Sequence, residues 1–126
     1  MPYTRARTTV LCLCCLLMVF TTAGCLEGSG ASNDEAKERA LAAEAEHITA
    51  QLGNASCVES WGLASYAGVE KEAAIMNQTA DGVYVEVTHP FWYSTEQEEA
   101  DVGSDAQYYV TADTVQRVSG TNVSPC

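Results

Sequence analysis

The spacing of apolar positions changes period once along the chain. Ala36, Ala40, Leu41, Ala45, Ile48 and Leu52 recur at helical intervals, which lines one face of an α-helix. Ser32 and Glu35 stand three residues apart just ahead of that run, the arrangement of a capping box. Glu35 and Arg39 form a favourable i,i+4 pair on the wet side. Gly53-Asn54 follows the last periodic residue, where a positive φ is cheap and a helix can stop. One amphipathic helix of about five turns is expected.

After Cys57 the period shortens. Val58 to Val69, with Trp61, Leu63 and Tyr66, reads as a strand, and Glu72 to Asn77 as a second. Asp81-Gly82 is a turn. Val83, Val85 and Val87 alternate with Tyr84, Glu86 and Thr88, the pattern of a half-buried strand. Ser94 to Asp101 reads as a short acidic helical turn. Gln107–Thr111 and Thr114–Val118 then form a hairpin around Ala112-Asp113. A helix followed by sequential strands implies an α+β domain, with one N-terminal amphipathic helix packed on an antiparallel sheet of about four to five strands. This order is similar to that of cystatin-type folds, a likeness of architecture that implies no activity.

The beginning of the chain follows a different logic. Arg5 and Arg7 precede an apolar run from Val10 to Phe20, and Thr21 to Gly24 are small. This is the three-part plan of a secretory signal, and the run is shorter than the ~20 residues a membrane span needs. Ala6 separates the two arginines, so the general secretory route is favoured over the twin-arginine one. Thr22-Ala23-Gly24-Cys25 resembles a lipobox, although Thr22 replaces the usual Leu. The resemblance implies cleavage after Gly24 and lipidation of Cys25. The chain then divides into a signal peptide (1–24), a Gly- and Ser-containing lipidated tether (25–33) and one small domain (34–126). Its location is the outer face of the cytoplasmic membrane, with the domain extracellular.

Charge sharpens this picture. The 126 residues carry a formal net charge of −11 and are 47% hydrophobic, so a core is affordable and a disordered acidic tail is excluded. From Cys25 onward, four basic residues (Lys37, Arg39, Lys71, Arg117) face seventeen acids, a net −13. Nucleic acid is excluded as a partner, since phosphate binding needs clustered Lys and Arg. An acidic chain of this kind repels itself in dilute salt and is screened in concentrated salt. Together with the lipobox-like motif, the acid excess and scarce lysine resemble the small secreted lipoproteins of halophilic archaea. That resemblance transfers no catalytic motif.

Six cysteines divide by compartment. Cys12, Cys14 and Cys15 leave with the signal and Cys25 takes the lipid. Cys57 and Cys126 remain, an even number in an oxidising location. Their pairing would close nearly the whole domain, worth about 4 kcal/mol by loop entropy.

Candidate chemistry is sparse. His47 and His89 have no partner at metal-ligand spacing, and GxSxG, P-loop and HExxH motifs are absent from the sequence. The acidic residues Glu96, Glu98, Glu99, Asp101 and Asp105 lack a calcium-loop register and read as a solvated surface. No catalytic residue, metal or cofactor is therefore assigned. Phe91-Trp92-Tyr93 follows His89-Pro90, and three adjacent aromatics cannot all face inward on a strand. Either Phe91 and Tyr93 or Trp92 completes the core, and what is left outside is a contact surface. His89, Phe91, Trp92 and Tyr93 are the ligand-contact candidates. Asn54, Asn77 and Asn122 head sequons and are glycosylation candidates.

The expected function is that of a lipid-anchored cell-surface protein with a non-enzymatic binding or structural role in the envelope. Its partners would be the membrane, through Cys25, and a protein or glycan. The alternative is a small extracytoplasmic ligand-binding accessory or enzyme that uses Phe91-Trp92-Tyr93 and nearby carboxylates. Two carboxylates converging on a cleft would favour the alternative.

Overall fold

The computed structural model describes residues 32–126. The signal segment 1–24, Cys25 and the tether up to residue 31 lie outside the described residues. Within them, helix α1 (Asn33–Asn54) precedes five strands: β1 (Ser60–Gly62), β2 (Glu72–Gln78), β3 (Gly82–Ser94), β4 (Glu99–Thr111) and β5 (Val115–Gly120). All pairings are antiparallel, so the class is α+β. The sheet order is β1-β3-β4-β5, and β2 also pairs with β3. No helix among the described residues is long and apolar enough to cross a membrane.

Helix α1 starts where the sequence predicts. Ser32 caps it, its hydroxyl accepting from the Glu35 amide at 3.2 Å. Because the helix begins at Asn33, the expected tether loses its last residue to it. Arg39 does not pair with Glu35. It donates instead to the Thr111 carbonyl at 2.7 Å, joining the helix to the end of β4. The helix also ends differently from expectation. Neither Gly53 nor Asn54 has a positive φ; Gly68 alone does among the described residues. The chain leaves the helix through Ala55 in extended conformation, its amide bonded to the Leu52 carbonyl at 3.2 Å.

Residues 36, 40, 44, 48 and 52 form the buried face, so Glu44 occupies the centre of the stripe and Ala45 and Leu41 are displaced to its flank. A period of 3.6 places i and i+4 almost in line, and the sheet selects this row. Ala36 and Ala40 pack on Val83, Val85, Val87, Ala106, Tyr108 and Val110. Small side chains there let the helix approach the valines closely. Ile48 and Leu52 pack on Phe91 and Val123, with Val58, Trp61, Leu63 and Tyr93 around them. Each such large side chain, once buried, contributes about 1.5–3 kcal/mol.

Two sequence expectations fail on the strand side. Val58 to Val69 is strand only at Ser60–Gly62; the rest is loop. Ser94 to Asp101 is not helical: β3 runs to Ser94 and β4 starts at Glu99. The connection is a four-residue turn in which the Thr95 amide donates to the Glu98 carbonyl at 2.8 Å. The Thr95 hydroxyl accepts from the Gln97 and Glu98 amides at 3.2 and 3.1 Å. Thr79 and Thr111 perform the same task in the other two hairpins, each accepting from the amides two and three residues on. A hydroxyl that satisfies two turn amides removes the need for a left-handed residue.

The disulfide joins Cys57 to Cys126, with Cα atoms 5.8 Å apart. It fastens the last residue beside the end of the helix.

Candidate functional site

Side chains alternate across a strand, and β3 sorts the aromatic cluster accordingly. His89, Phe91 and Tyr93 fall on the face toward the helix, whereas Trp92 falls on the outer face. Phe91 is buried in the core, and Tyr93 lies in line with it, ring centroids 6.3 Å apart. His89 is buried, with Nδ1 within 2.9 Å of the Pro90 carbonyl. Of the four contact candidates, Trp92 presents its side chain to the outer groove; Tyr93 is also in the groove's lining although it falls on the helix face, and His89 and Phe91 are not.

The groove is built from two rows that cross three strands. In the first, Gly62, Trp92 and Asp101 lie side by side on β1, β3 and β4. Gly62 makes room for the indole: a Cβ there would lie 2.5 Å from Trp92 Nε1. In the second row, Ser60, Ser94 and Glu99 are neighbours, and the two serine hydroxyls are 2.6 Å apart. The loop after β1 closes one side. Asp101 holds it, Oδ2 accepting from the Tyr66 amide at 2.6 Å and Oδ1 from the Ser65 hydroxyl at 3.1 Å. The Ser65 oxygen in turn accepts from the Val69 amide at 3.0 Å, and Gly68 supplies the positive φ that turns the chain. Tyr66 is thereby held edge-on to Trp92, centroids 6.1 Å apart and planes at 61°, while staying 81% exposed. The resulting groove has a volume of about 440 Å³.

A larger hollow of about 830 Å³ adjoins the same end of the sheet, lined by Glu59, Glu96 and Glu98 with the disulfide on one side. Glu59 precedes Ser60 and Thr95 follows Ser94, so the hollow's lining begins one residue beyond the groove's at this end of β1 and β3, with no residue common to the two. Tyr93 reaches toward it, its hydroxyl 3.5 Å from Glu98. Burial, and then the Glu98 charge, raise the Tyr93 phenol above its ordinary pKa. Among the described residues, no group of three or more His, Cys, Asp or Glu side chains is placed to hold a metal. Asp101, moreover, commits both oxygens to the loop.

A second polar cluster lies between the two apolar halves of the core. Glu44 is fully buried and accepts four hydrogen bonds. Ser104 donates at 2.5 Å, Tyr108 at 2.6 Å, and Arg117 through Nε at 3.0 Å and Nη2 at 3.2 Å. Burial pushes the carboxyl upward, but the bonds from Arg117, Ser104 and Tyr108 together outweigh it and hold the pKa below the usual range. Tyr108 is raised by burial and by Glu44. Arg117 is raised chiefly by its bond to Glu44. His89 stands opposite Ser104 in the sheet, so serine, histidine and glutamate share one layer. They do not make a nucleophile and base, because Ser104 is fully buried and donates directly to Glu44. The cluster locks helix to sheet.

Sequence reasoning missed both Glu44 and Tyr66. Glu44 was signalled by its place in the row 36-40-44-48-52. Nothing in the sequence ties Tyr66 to Asp101, since the pairing depends on a loop path. The sequon residues Asn54, Asn77 and Asn122 are all exposed. Asn54 uses its amide to donate to the Ala50 carbonyl at 2.7 Å. In comparison with known proteins, the chain matches no family model, no curated protein and no solved structure.

Proposed function

We propose that the protein is a non-enzymatic contact domain, held at the outer face of the cytoplasmic membrane by lipid on Cys25, and that the Tyr66–Trp92 groove is its contact surface. The observation that carries this reading is the placement of Tyr66. Tyr66 is 81% exposed, yet Asp101 holds its backbone amide with a 2.6 Å bond and its ring rests edge-on against Trp92. Prearranged, exposed Tyr and Trp side chains are the usual anchors of protein contacts, since little conformational freedom is lost on binding. Of the two carboxylates lining the groove, Asp101 is spent on the loop, and Glu99 is the one left to meet a ligand. The anchoring part rests on Ala23-Gly24-Cys25 behind a short apolar run, and the acid excess adds the reading of a halophilic origin.

The test is site-directed photocrosslinking in intact envelopes. A photoreactive phenylalanine analogue at position 66 should give a discrete adduct. The same analogue at position 116, on β5 at the far side of the sheet, should not. The adduct should vanish when Gly62→Ala fills the space under the indole. No adduct from position 66, or equal adducts from both positions, would remove the groove from consideration.

A further inference from the structure

Resting on that reading of the groove, we infer that its partner is a basic polypeptide segment, one of whose Arg or Lys side chains packs against the exposed side of the Tyr66–Trp92 pair. Three observations converge on positive charge. The groove offers two aromatic rings in edge-on contact, one of them on a residue that is largely exposed, and a guanidinium or ammonium group can be drawn to an exposed ring face. Glu99 lies in the next row, beside the paired serine hydroxyls, so a cation over Trp92 also meets a carboxylate. Every charged residue lining the groove or the adjoining hollow is acidic: Glu99 and Asp101 in one, Glu59, Glu96 and Glu98 in the other. The domain's basic residues are elsewhere. Lys37 and Arg39 are on the helix, Lys71 precedes β2, and Arg117 is turned into the core against Glu44.

The nearness of groove and hollow, whose linings are one residue apart along the chain at Glu59/Ser60 and Ser94/Thr95, favours a segment with several charges over a single small cation. One side chain fills the aromatic groove while its neighbours lie over the glutamates. A duplex phosphate backbone or an acidic glycan would be repelled by the same surface. The two halves respond differently to salt. Attraction to the glutamates is screened when the Debye length falls to about 3 Å at 1 M salt. Contact between a guanidinium and the ring faces acts at van der Waals range and persists.

The experiment is calorimetric titration of the full-length protein, in uncharged detergent micelles, with an arginine hexapeptide at 0.1 M and 1 M salt. Binding is expected at both, weaker at the higher. Tyr66→Ala should weaken it about 3- to 30-fold at both salts, the range of a cation–aromatic contact, whereas Tyr66→Phe should leave it intact. The pair Glu96→Gln and Glu98→Gln should weaken it at 0.1 M only. A citrulline hexapeptide, uncharged but of the same shape, should not bind. Absence of arginine binding, or binding unchanged by Tyr66→Ala, would overturn the inference, the latter showing only diffuse attraction to an acidic body. Equal binding of the citrulline peptide would replace charge by stacking. Equal binding of free arginine amide would replace the segment by a small cation. A crosslink from position 66 without arginine binding would leave the groove standing and remove only its proposed occupant.

Discussion

Removing the Glu44 side chain should be among the most damaging single changes to this domain. The carboxylate is 0% exposed and takes four hydrogen bonds, two of them from a guanidinium that is 22% exposed. Glu44→Ala would leave the Ser104 and Tyr108 hydroxyls without an acceptor and Arg117 without its counter-charge. Breaking a buried pair from one side costs about 3–5 kcal/mol, because the surviving charge is stranded. Each orphaned hydroxyl adds about 1–3 kcal/mol if nothing else satisfies it. These effects overlap, and Arg117 can turn toward solvent, so about 4 kcal/mol is expected rather than the sum. For a domain of this size that lowers the melting temperature by roughly 15 °C or more. The assay is urea unfolding at pH 7, followed by tryptophan fluorescence, on a chain beginning at residue 26 with its disulfide intact. Arg117→Ala should cost roughly 2–4 kcal/mol by itself, and the double variant clearly less than the two single losses combined. Two single losses under about 1 kcal/mol, or additivity within about 0.5 kcal/mol, would refute the reasoning. The same group gives a pH dependence. Its pKa is lower in the fold than in the unfolded chain, where a Glu titrates near 4.3. The folded state therefore binds fewer protons, and the stabilisation is fully present above that value. It should fade as acid titrates the carboxyl through its depressed folded pKa, and Glu44→Gln should flatten that acid limb.

Cys25→Ser should release the protein into the medium or leave it unprocessed; a variant that stays membrane-bound at native mass would rule out the lipid. Cys126→Ser should cost about 2–4 kcal/mol in the same unfolding assay, since a loop of 69 residues' separation is opened. The chain from residue 26 should melt at a higher temperature in molar salt than in dilute buffer, because most of the seventeen acids have no basic partner. An unchanged midpoint would remove the physical support for a halophilic origin.

The helix and the middle of β3 were readable because their signals are local. Apolar residues at helical spacing from Ala36 to Leu52, and three valines at intervals of two, need no tertiary information. The second half of β3 was obscured by Pro90, which argues against a central strand. The structure accommodates it between partners: β2 pairs as far as Thr88 and β1 takes over at Trp92, a gap that tolerates a residue without an N–H. The start of β4 was obscured by composition, since Glu-rich segments favour helix and the inward positions there are only Ala100, Val102 and Ser104. Glu44 was passed over because charge outweighed position in the reading of the stripe, and Arg117, which makes its burial tolerable, lies 73 residues away. The contact groove was half legible. The alternation rule required one of the three aromatics to point outward, but Tyr66 joins Trp92 only through the loop that Asp101 holds.

The bond between Cys57 and Cys126 also determines how the molecule would respond to force. A pull applied at Ser32 and resisted at Cys126 does not travel along the sheet. It runs up the helix, crosses the sulfur bridge and leaves at Cys126. Only the stretch from Ser32 to Ser56 can lengthen, to at most about 85 Å when fully drawn out, while the five strands stay inside a covalent ring that carries no tension. The load is borne by the contacts between helix and sheet, with the Glu44–Arg117 pair midway along them. Single-molecule extension should show one short rupture under oxidising conditions. After reduction the release should be several times longer, as the strands become part of the loaded path.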